Sequence, residues 1–178
     1  MLKSMAAIGF IALHFSIPTG AWASAPGVPD DILEYLAREL PHHSLPKGAY
    51  AAVLKKWFAD SGRPEPWSIQ GDFDGDSVVD WAGLLADAEG RLDLVVVRSS
   101  AGTRTHAILA SPGLDTDGIY VGVELEPPGE VHGFPFENGP PDPVVITSNP
   151  SIHLYYYEKS SVLYYWNGDS FSEMWTSD

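Results

Sequence analysis

Four aspartates alternate along one short stretch of this chain, and their spacing could assemble a cation site. Residues 71–80 read Gly-Asp-Phe-Asp-Gly-Asp-Ser-Val-Val-Asp. Acidic side chains fill loop positions 1, 3, 5 and 9, namely Asp72, Asp74, Asp76 and Asp80. Calcium takes about six to eight oxygen ligands, and position 7 of such a loop, here Val78, offers a backbone carbonyl. The pattern therefore predicts a calcium site.

Repulsion among these carboxylates is the physical reason to expect a cation. Four negative charges so close in sequence repel one another unless an ion neutralises them, so we expect the loop to open without one. Magnesium is less suitable, because it demands stricter geometry and keeps its waters. The alternative is a solvated acidic turn without any ion, since Asp and Gly favour turns on their own. If calcium binds, we expect a structural role.

The same stretch resembles a known calcium loop. Gly-Asp-Phe-Asp-Gly-Asp, followed by Asp80-Trp81-Ala82 and an apolar strand, is similar to the loop of FG-GAP and VCBS repeats, which form the blades of integrin-type propellers. The resemblance covers about residues 67–98. It implies calcium held between two strands by Asp72, Asp74, Asp76, Val78 and Asp80. The family usually has Gly where Ser77 stands, which implies a tighter turn or a lower affinity.

The end of the chain carries a second resemblance. Residues 163–168, Leu-Tyr-Tyr-Trp-Asn-Gly, and the closing Trp-Thr-Ser-Asp are similar to small exported bacterial proteins of unknown function that carry a single loop of this kind. This likeness brings no activity with it.

The first residues have the layout of a secretory signal peptide. Lys3 provides a short positive region, residues 5–17 are mostly apolar, and small residues stand at positions −3 and −1 of a cleavage site after Ala23. We therefore predict a signal peptide at 1–23 and a single domain at 24–178 that is periplasmic or secreted. Cleavage two residues later and an uncleaved anchor are the alternatives. We expect no membrane span in the mature chain.

Composition excludes several classes of function. The chain has 178 residues, with 10 Lys and Arg against 24 Asp and Glu, and 44% of its residues are hydrophobic. It contains no Cys, which excludes disulfides, zinc–thiolate sites and Cys nucleophiles. The formal net charge of −14 argues against a nucleic-acid partner, because that binding depends on phosphate neutralisation by Lys and Arg.

Hydrophobic periodicity predicts the elements that position the loop. Apolar residues at helical spacing predict helices over 30–40 and 46–60. Alternating or continuous apolar runs predict strands over 80–87, 92–99, 103–110, 119–125, 152–157, 162–166 and 171–176. A stretch rich in Pro and Gly predicts a long loop over 127–143. The prediction is an α+β fold with two N-terminal helices packed on a mainly antiparallel sheet, a meander of hairpins. The alternative is a small propeller-like or sandwich fragment with a helical prefix.

Other polar residues give weaker indications of chemistry. Glu124 and Glu126 share one strand face and could act as the paired carboxylates of a glycosidase, or they could simply face solvent. His106, His132 and His153 lie on different elements, and sequence alone does not show whether they converge. We find no nucleophile elbow, zinc-protease, P-loop or dinucleotide-binding signature. We therefore assign no catalytic and no cofactor-binding residue.

Aromatic residues concentrate near the C-terminus. Eight lie in residues 151–178: Tyr155, Tyr156, Tyr157, Tyr164, Tyr165, Trp166, Phe171 and Trp175. Because strand side chains alternate, both faces of this hairpin are aromatic. One face must fill the core. The other is either a second core layer or an exposed platform for a glycan or protein partner.

The alternative function is inferred from the distribution of charged residues along the chain. After Arg104 the only basic side chain is Lys159, whereas eleven acidic residues follow. The leading prediction is an exported, non-enzymatic calcium-binding protein whose calcium is structural. The alternative is an acidic inhibitor or immunity-type protein that binds a cationic cell-wall hydrolase, because its field would attract a basic partner. The oligomeric state stays open.

Overall fold

The computed structural model describes residues 27–47, 50–62, 66–113 and 118–178. The predicted signal peptide at 1–23 lies outside the described residues, so its prediction stands untested. Among the residues that are described, no helix has the length and apolar character needed to cross a membrane.

Strands dominate the described part of the chain, together with two short helices. The helices are α1 (Asp30–Glu39) and α2 (Ala52–Ser61). The strands are β1 (Ser68–Gly71), β2 (Asp80–Ala86), β3 (Leu92–Ser100), β4 (Thr103–Ala110), β5 (Val121–Glu126), β6 (Gly129–His132), β7 (Val144–Thr147), β8 (Ser151–Tyr156), β9 (Ser160–Trp166) and β10 (Phe171–Ser177).

The strands form two four-stranded sheets and a small ribbon, and every pairing is antiparallel. The first sheet is a meander in the order β1-β2-β3-β4. The second has the order β10-β9-β8-β5, and the ribbon consists of β6 and β7. The ribbon lies between β5 and β8 in sequence. Those two strands pair with each other although the ribbon separates them along the chain. Leu84 N donates to Trp67 O (2.9 Å) and Val123 N donates to Pro66 O (3.0 Å), which joins both sheets to the segment before β1.

The main hydrophobic core lies between the inner faces of the two sheets. Its strand residues come from five strands and alternate along each: Ala82, Leu84, Ala86, Leu92, Leu94, Val96, Val121, Val123, Ile152, Leu154, Val162 and Tyr164. Helix α2 adds Leu54 and Phe58 to the same core. This arrangement is a pair of stacked sheets, in which burial of apolar area on both inner faces is the main stabilising term.

Helix α1 covers the outer face of the first sheet. Ile32, Tyr35 and Leu36 pack there against the β2 side chains Trp81 and Leu85 and against Val95 and Val97 of β3. Every residue of β2 is therefore buried, because one face meets the second sheet and the other meets α1. A strand covered on both faces is expected to be a continuous apolar run, as β2 is after Asp80.

The predicted α+β fold is wrong. The protein is mostly β, with ten strands in antiparallel sheets and only two ten-residue helices. The helices do not sit together on one sheet, since α1 covers the outer face of the first sheet and α2 joins the core between both sheets. The alternative of a sandwich with a helical prefix is closer. Period-two patterns locate strands, but they do not show how the strands divide into layers.

Individual elements agree better than the fold class. The helix predicted over 30–40 is confirmed as α1, whereas α2 begins at Ala52 rather than at residue 46. The predicted loop at 127–143 is partly wrong, because it contains β6. Pro and Gly weaken a strand signal, yet an exposed two-stranded ribbon tolerates both at its ends.

Candidate cation site at the aspartate loop

The predicted loop connects β1 to β2 and lies beside the core between the sheets. Gly71 pairs with Asp80 where the two strands meet, so the residues between them form the turn of a hairpin. Phe73 is 0% exposed and belongs to the main core. The neighbouring Asp72 and Asp74 are only partly buried.

Three of the four aspartates come together. Asp72, Asp74 and Asp80 each offer a carboxylate oxygen within 4.8 Å of the other two. Calcium–oxygen distances are about 2.4 Å, so two ligands of one ion lie at most about 4.8 Å apart. These three carboxylates therefore have the separation that a shared cation requires, and their hard oxygens suit calcium.

Asp80 is the buried member of the cluster. It is 0% exposed, and its two oxygens accept hydrogen bonds from Phe73 N (3.1 Å) and Ser99 N (2.7 Å). Burial raises the pKa of Asp80 to about 6, and the charges of Asp74 and Asp76 add to this while the two backbone bonds oppose it. At neutral pH the carboxylate is charged at a free-energy cost, and a neighbouring cation would reduce that cost.

Asp72 and Asp76 shape the loop by accepting hydrogen bonds from its own backbone. Asp72 accepts hydrogen bonds from Gly75 N (2.8 Å) and Ser77 N (2.9 Å). Asp76 accepts one from Val78 N (2.8 Å) and lies outside the carboxylate cluster. The five predicted ligands thus divide: three carboxylates gather, whereas Asp76 and the predicted backbone ligand Val78 form an adjoining turn.

Two loop residues adopt left-handed backbone conformations. Gly75 has φ of +80° and Ser77 has φ of +69°. Glycine adopts this region without strain, but a side chain costs about 1–2 kcal/mol there. Ser77 therefore keeps the turn with some backbone strain.

Arg98 already supplies one positive charge to the cluster. Its Nε lies 3.0 Å from Asp74 Oδ2, and its guanidinium carbon lies 4.1 Å from the centre of the Trp166 ring. Arg98 is on β3 and Trp166 on β9, so this contact joins the loop to both sheets. Sequence reasoning missed Arg98, because its approach to Asp74 depends on the register of β3 against β2.

The turn between β7 and β8 also reaches the loop. The Asn149 amide, oriented with its oxygen toward the loop, lies 3.2 Å from Gly75 N. A Cβ at Gly75 would lie 2.7 Å from the same amide. The close approach therefore requires glycine at this position as well as its positive φ.

The other predicted polar residues do not gather around the loop. His106 bonds to Tyr35 (3.1 Å), and His132 bonds to Asp142 (3.2 Å) and Glu130 (3.0 Å), which raises the pKa of His132. These two histidines and His153 contact different groups and do not converge. Glu124 and Glu126 lie on one face of β5, opposite His153 and Ser151 of β8.

Comparisons with known proteins do not place the chain in a family. No family model, no curated protein and no solved structure matches it.

Proposed function

We propose that this protein is an exported calcium-binding protein in which calcium has a structural role. The observation that carries the proposal is the gathering of three carboxylates within 4.8 Å. Their chemistry and separation suit a hard cation, and the likeness of the loop to FG-GAP and VCBS loops adds support. Asp72, Asp74 and Asp80 are the proposed side-chain ligands, whereas Asp76 and Val78 lie in the adjoining turn.

The position of the loop supports a structural role. It connects β1 to β2, bonds to β3 through Asp80 and Ser99, and contacts the second sheet through Asn149 and through Arg98 on Trp166. An ion held there would fix four parts of the fold relative to one another. An ion that binds only the folded chain stabilises it in proportion to the logarithm of its concentration over Kd.

Thermal unfolding with calcium against chelator tests the proposal. At a hundredfold excess over Kd the ion should add about 2.7 kcal/mol, which raises the Tm by roughly 5–10 °C in a domain of this size. The double variant Asp72→Asn with Asp74→Asn should lose the rise. Asp169→Asn, in the exposed turn before β10, is the matched control and should keep it.

Isothermal titration gives the second readout. We expect one calcium site in the unaltered protein and weaker binding of magnesium, which needs near-ideal octahedral geometry. A flat calcium titration, together with an unchanged Tm, would refute the proposal.

A second candidate function is the binding of a cationic cell-wall hydrolase as an acidic inhibitor. The ribbon favours it, because Val144 and Ile146 of β7 are 44% and 76% exposed beside the acidic Glu130 and Asp142. Exposed apolar residues with acidic neighbours are typical of surfaces that recognise a basic protein. Pull-down with basic lysozyme-like enzymes at low and high salt tests this function, since binding driven by charge weakens as salt rises. Equal recovery at both salt concentrations, or none, would count against it.

A further inference from the structure

A second polar cluster lies on the outer face of the second sheet. His153 of β8 is 8% exposed and points away from the core that its neighbours Ile152 and Leu154 enter. Its Nδ1 lies 3.3 Å from Glu126 Oε2 and 3.0 Å from the Tyr155 hydroxyl. Its Nε2 lies 2.7 Å from Thr176 Oγ1. The imidazole therefore links a carboxylate on β5 to a hydroxyl on β10.

The surroundings of His153 define its protonation. Burial lowers the pKa of His153, and the charges of Glu126 and Glu124 only partly oppose this, so the ring is neutral at neutral pH. A neutral imidazole donates from one nitrogen and accepts at the other. The Glu126 carboxylate only accepts, so we place the proton on Nδ1, where the Tyr155 hydroxyl oxygen is a second acceptor. Nε2 is then the acceptor, and the Thr176 hydroxyl donates to it.

A β-bulge in β10 directs the Thr176 side chain toward the His153 imidazole. The register of β10 against β9 shifts between Trp175 and Ser177, which leaves Thr176 without a paired residue. Such bulges re-aim side chains and are frequent beside active sites. Ser161 Oγ lies 2.7 Å from Thr176 Oγ1 and 2.8 Å from Ser177 Oγ. Because the Thr176 proton points to His153, Ser161 can donate to the Thr176 oxygen.

We propose that Glu126, His153 and Thr176 form a nucleophile site that takes acyl groups from small carboxylic esters. The order carboxylate, imidazole, hydroxyl is the arrangement by which a general base activates an alcohol. Thr176 is the nucleophile, His153 is the base and Glu126 is a positioning residue that holds the tautomer. Small esters are the substrate class because Thr176 is half-buried and therefore only partly accessible. This site goes beyond calcium binding.

The chemical step is an acyl transfer. The Thr176 oxygen attacks the ester carbonyl carbon while its proton moves to His153 Nε2. The carbon–oxygen bond to the leaving alcohol then breaks, and that alcohol takes the proton from His153. The acyl group remains on Thr176 as an ester. Water, deprotonated by the same imidazole, releases it as a carboxylic acid and restores the hydroxyl.

The test uses p-nitrophenyl acetate with the full chain. Nitrophenolate release is followed by absorbance, and the acetylated residue is located by mass spectrometry of proteolytic peptides. We expect one acetyl group on Thr176. Thr176→Val should abolish it, Thr176→Ser should retain it, and His153→Gln should slow release about a hundredfold. Thr105→Val, at an exposed position of β4, should behave as the unaltered protein.

The variant Glu126→Gln distinguishes a positioning role of Glu126 from a role in packing alone. It should lower the rate and shift the pH profile to lower pH, because the Glu126 charge raises the pKa of His153. Absence of acetyl on Thr176 in the unaltered protein, together with nitrophenolate release no faster than in buffer, would overturn the proposal, whether or not any variant folds. Release that is unchanged in Thr176→Val, with acetyl groups only elsewhere, would overturn it equally.

Discussion

The guanidinium of Arg98 lies 4.1 Å from the centre of the Trp166 ring while its Nε pairs with Asp74 at 3.0 Å. One side chain on β3 therefore holds a carboxylate of the aspartate loop and an aromatic ring of the second sheet. Its positive charge stands where a metal ion would also neutralise Asp74, so the two cations would compete for the same carboxylate.

Removal of the Arg98 charge should strengthen calcium binding. Arg98→Met keeps a long side chain over the Trp166 ring but frees Asp74, so we expect the Kd to fall by about tenfold, or ~1.4 kcal/mol. Isothermal titration measures the change. Arg38→Met, on the exposed side of α1, is the control and should leave the Kd unaltered. Weaker binding in Arg98→Met would mean that the ion pair supports the loop rather than competing with calcium.

Asp80 should contribute to stability even without an ion. Both of its oxygens accept backbone hydrogen bonds, and Asn in its place would turn an amide donor toward one N–H. Loss of a buried bond of this kind costs about 1–3 kcal/mol. Urea unfolding of Asp80→Asn in excess chelator should show this loss. Asp76→Asn, at an exposed position in the same loop, should change the free energy of unfolding by less than about 0.5 kcal/mol.

The two left-handed residues of the loop should respond in opposite directions. Ser77→Gly removes the strain of a side chain at φ +69° and should stabilise the protein by up to about 1 kcal/mol, after the added freedom of the unfolded chain is counted. Gly75→Ala introduces strain and a Cβ that would lie 2.7 Å from Asn149, so it should destabilise by more than 1 kcal/mol, on the order of left-handed strain plus a clash. Chemical unfolding curves compare the pair. A stabilising Gly75→Ala would contradict the loop geometry.

Acidification should weaken the second sheet through His153. Burial lowers its pKa below the ordinary 6.5, so the unfolded state binds more protons as the pH falls below 6.5. The stability contributed by the neutral imidazole is therefore fully present above pH 6.5 and is lost below it, with a slope of at most about 1.4 kcal/mol per pH unit. Urea midpoints from about pH 5 to pH 8 should fall more steeply in the unaltered protein than in His153→Gln. Parallel curves for the two proteins would show that His153 does not titrate differently on folding.

Local patterns were sufficient to locate the loop and most elements around it. Alternating aspartates with glycine between them specify a turn whose carboxylates approach one another, because the relevant contacts lie within nine residues. Helix α1 follows equally from the spacing of Ile32, Leu33 and Leu36, which lie on one buried face. In each case the residues that interact are close in sequence, so their spacing is enough to predict the local structure.

Contacts between distant residues were decided by the tertiary structure alone. Asp76 leaves the cluster and Arg98 joins it, since the backbone of the turn and the register of β3 fix those positions. The same holds for His153, whose partners Glu126 and Thr176 are 27 and 23 residues away and meet it only after β5, β8, β9 and β10 align.

The amino-acid sequence by itself located helix α1, the acidic turn and seven of the ten strands, because those depend on local periodicity and turn chemistry. Only the tertiary structure decided that the strands divide into two stacked sheets, that α1 and α2 cover different surfaces, and that an imidazole bridges a carboxylate to a hydroxyl. The physical reason is that layer assignment and strand register are set by the joint packing of apolar faces, and a period of two is the same whichever sheet a strand enters.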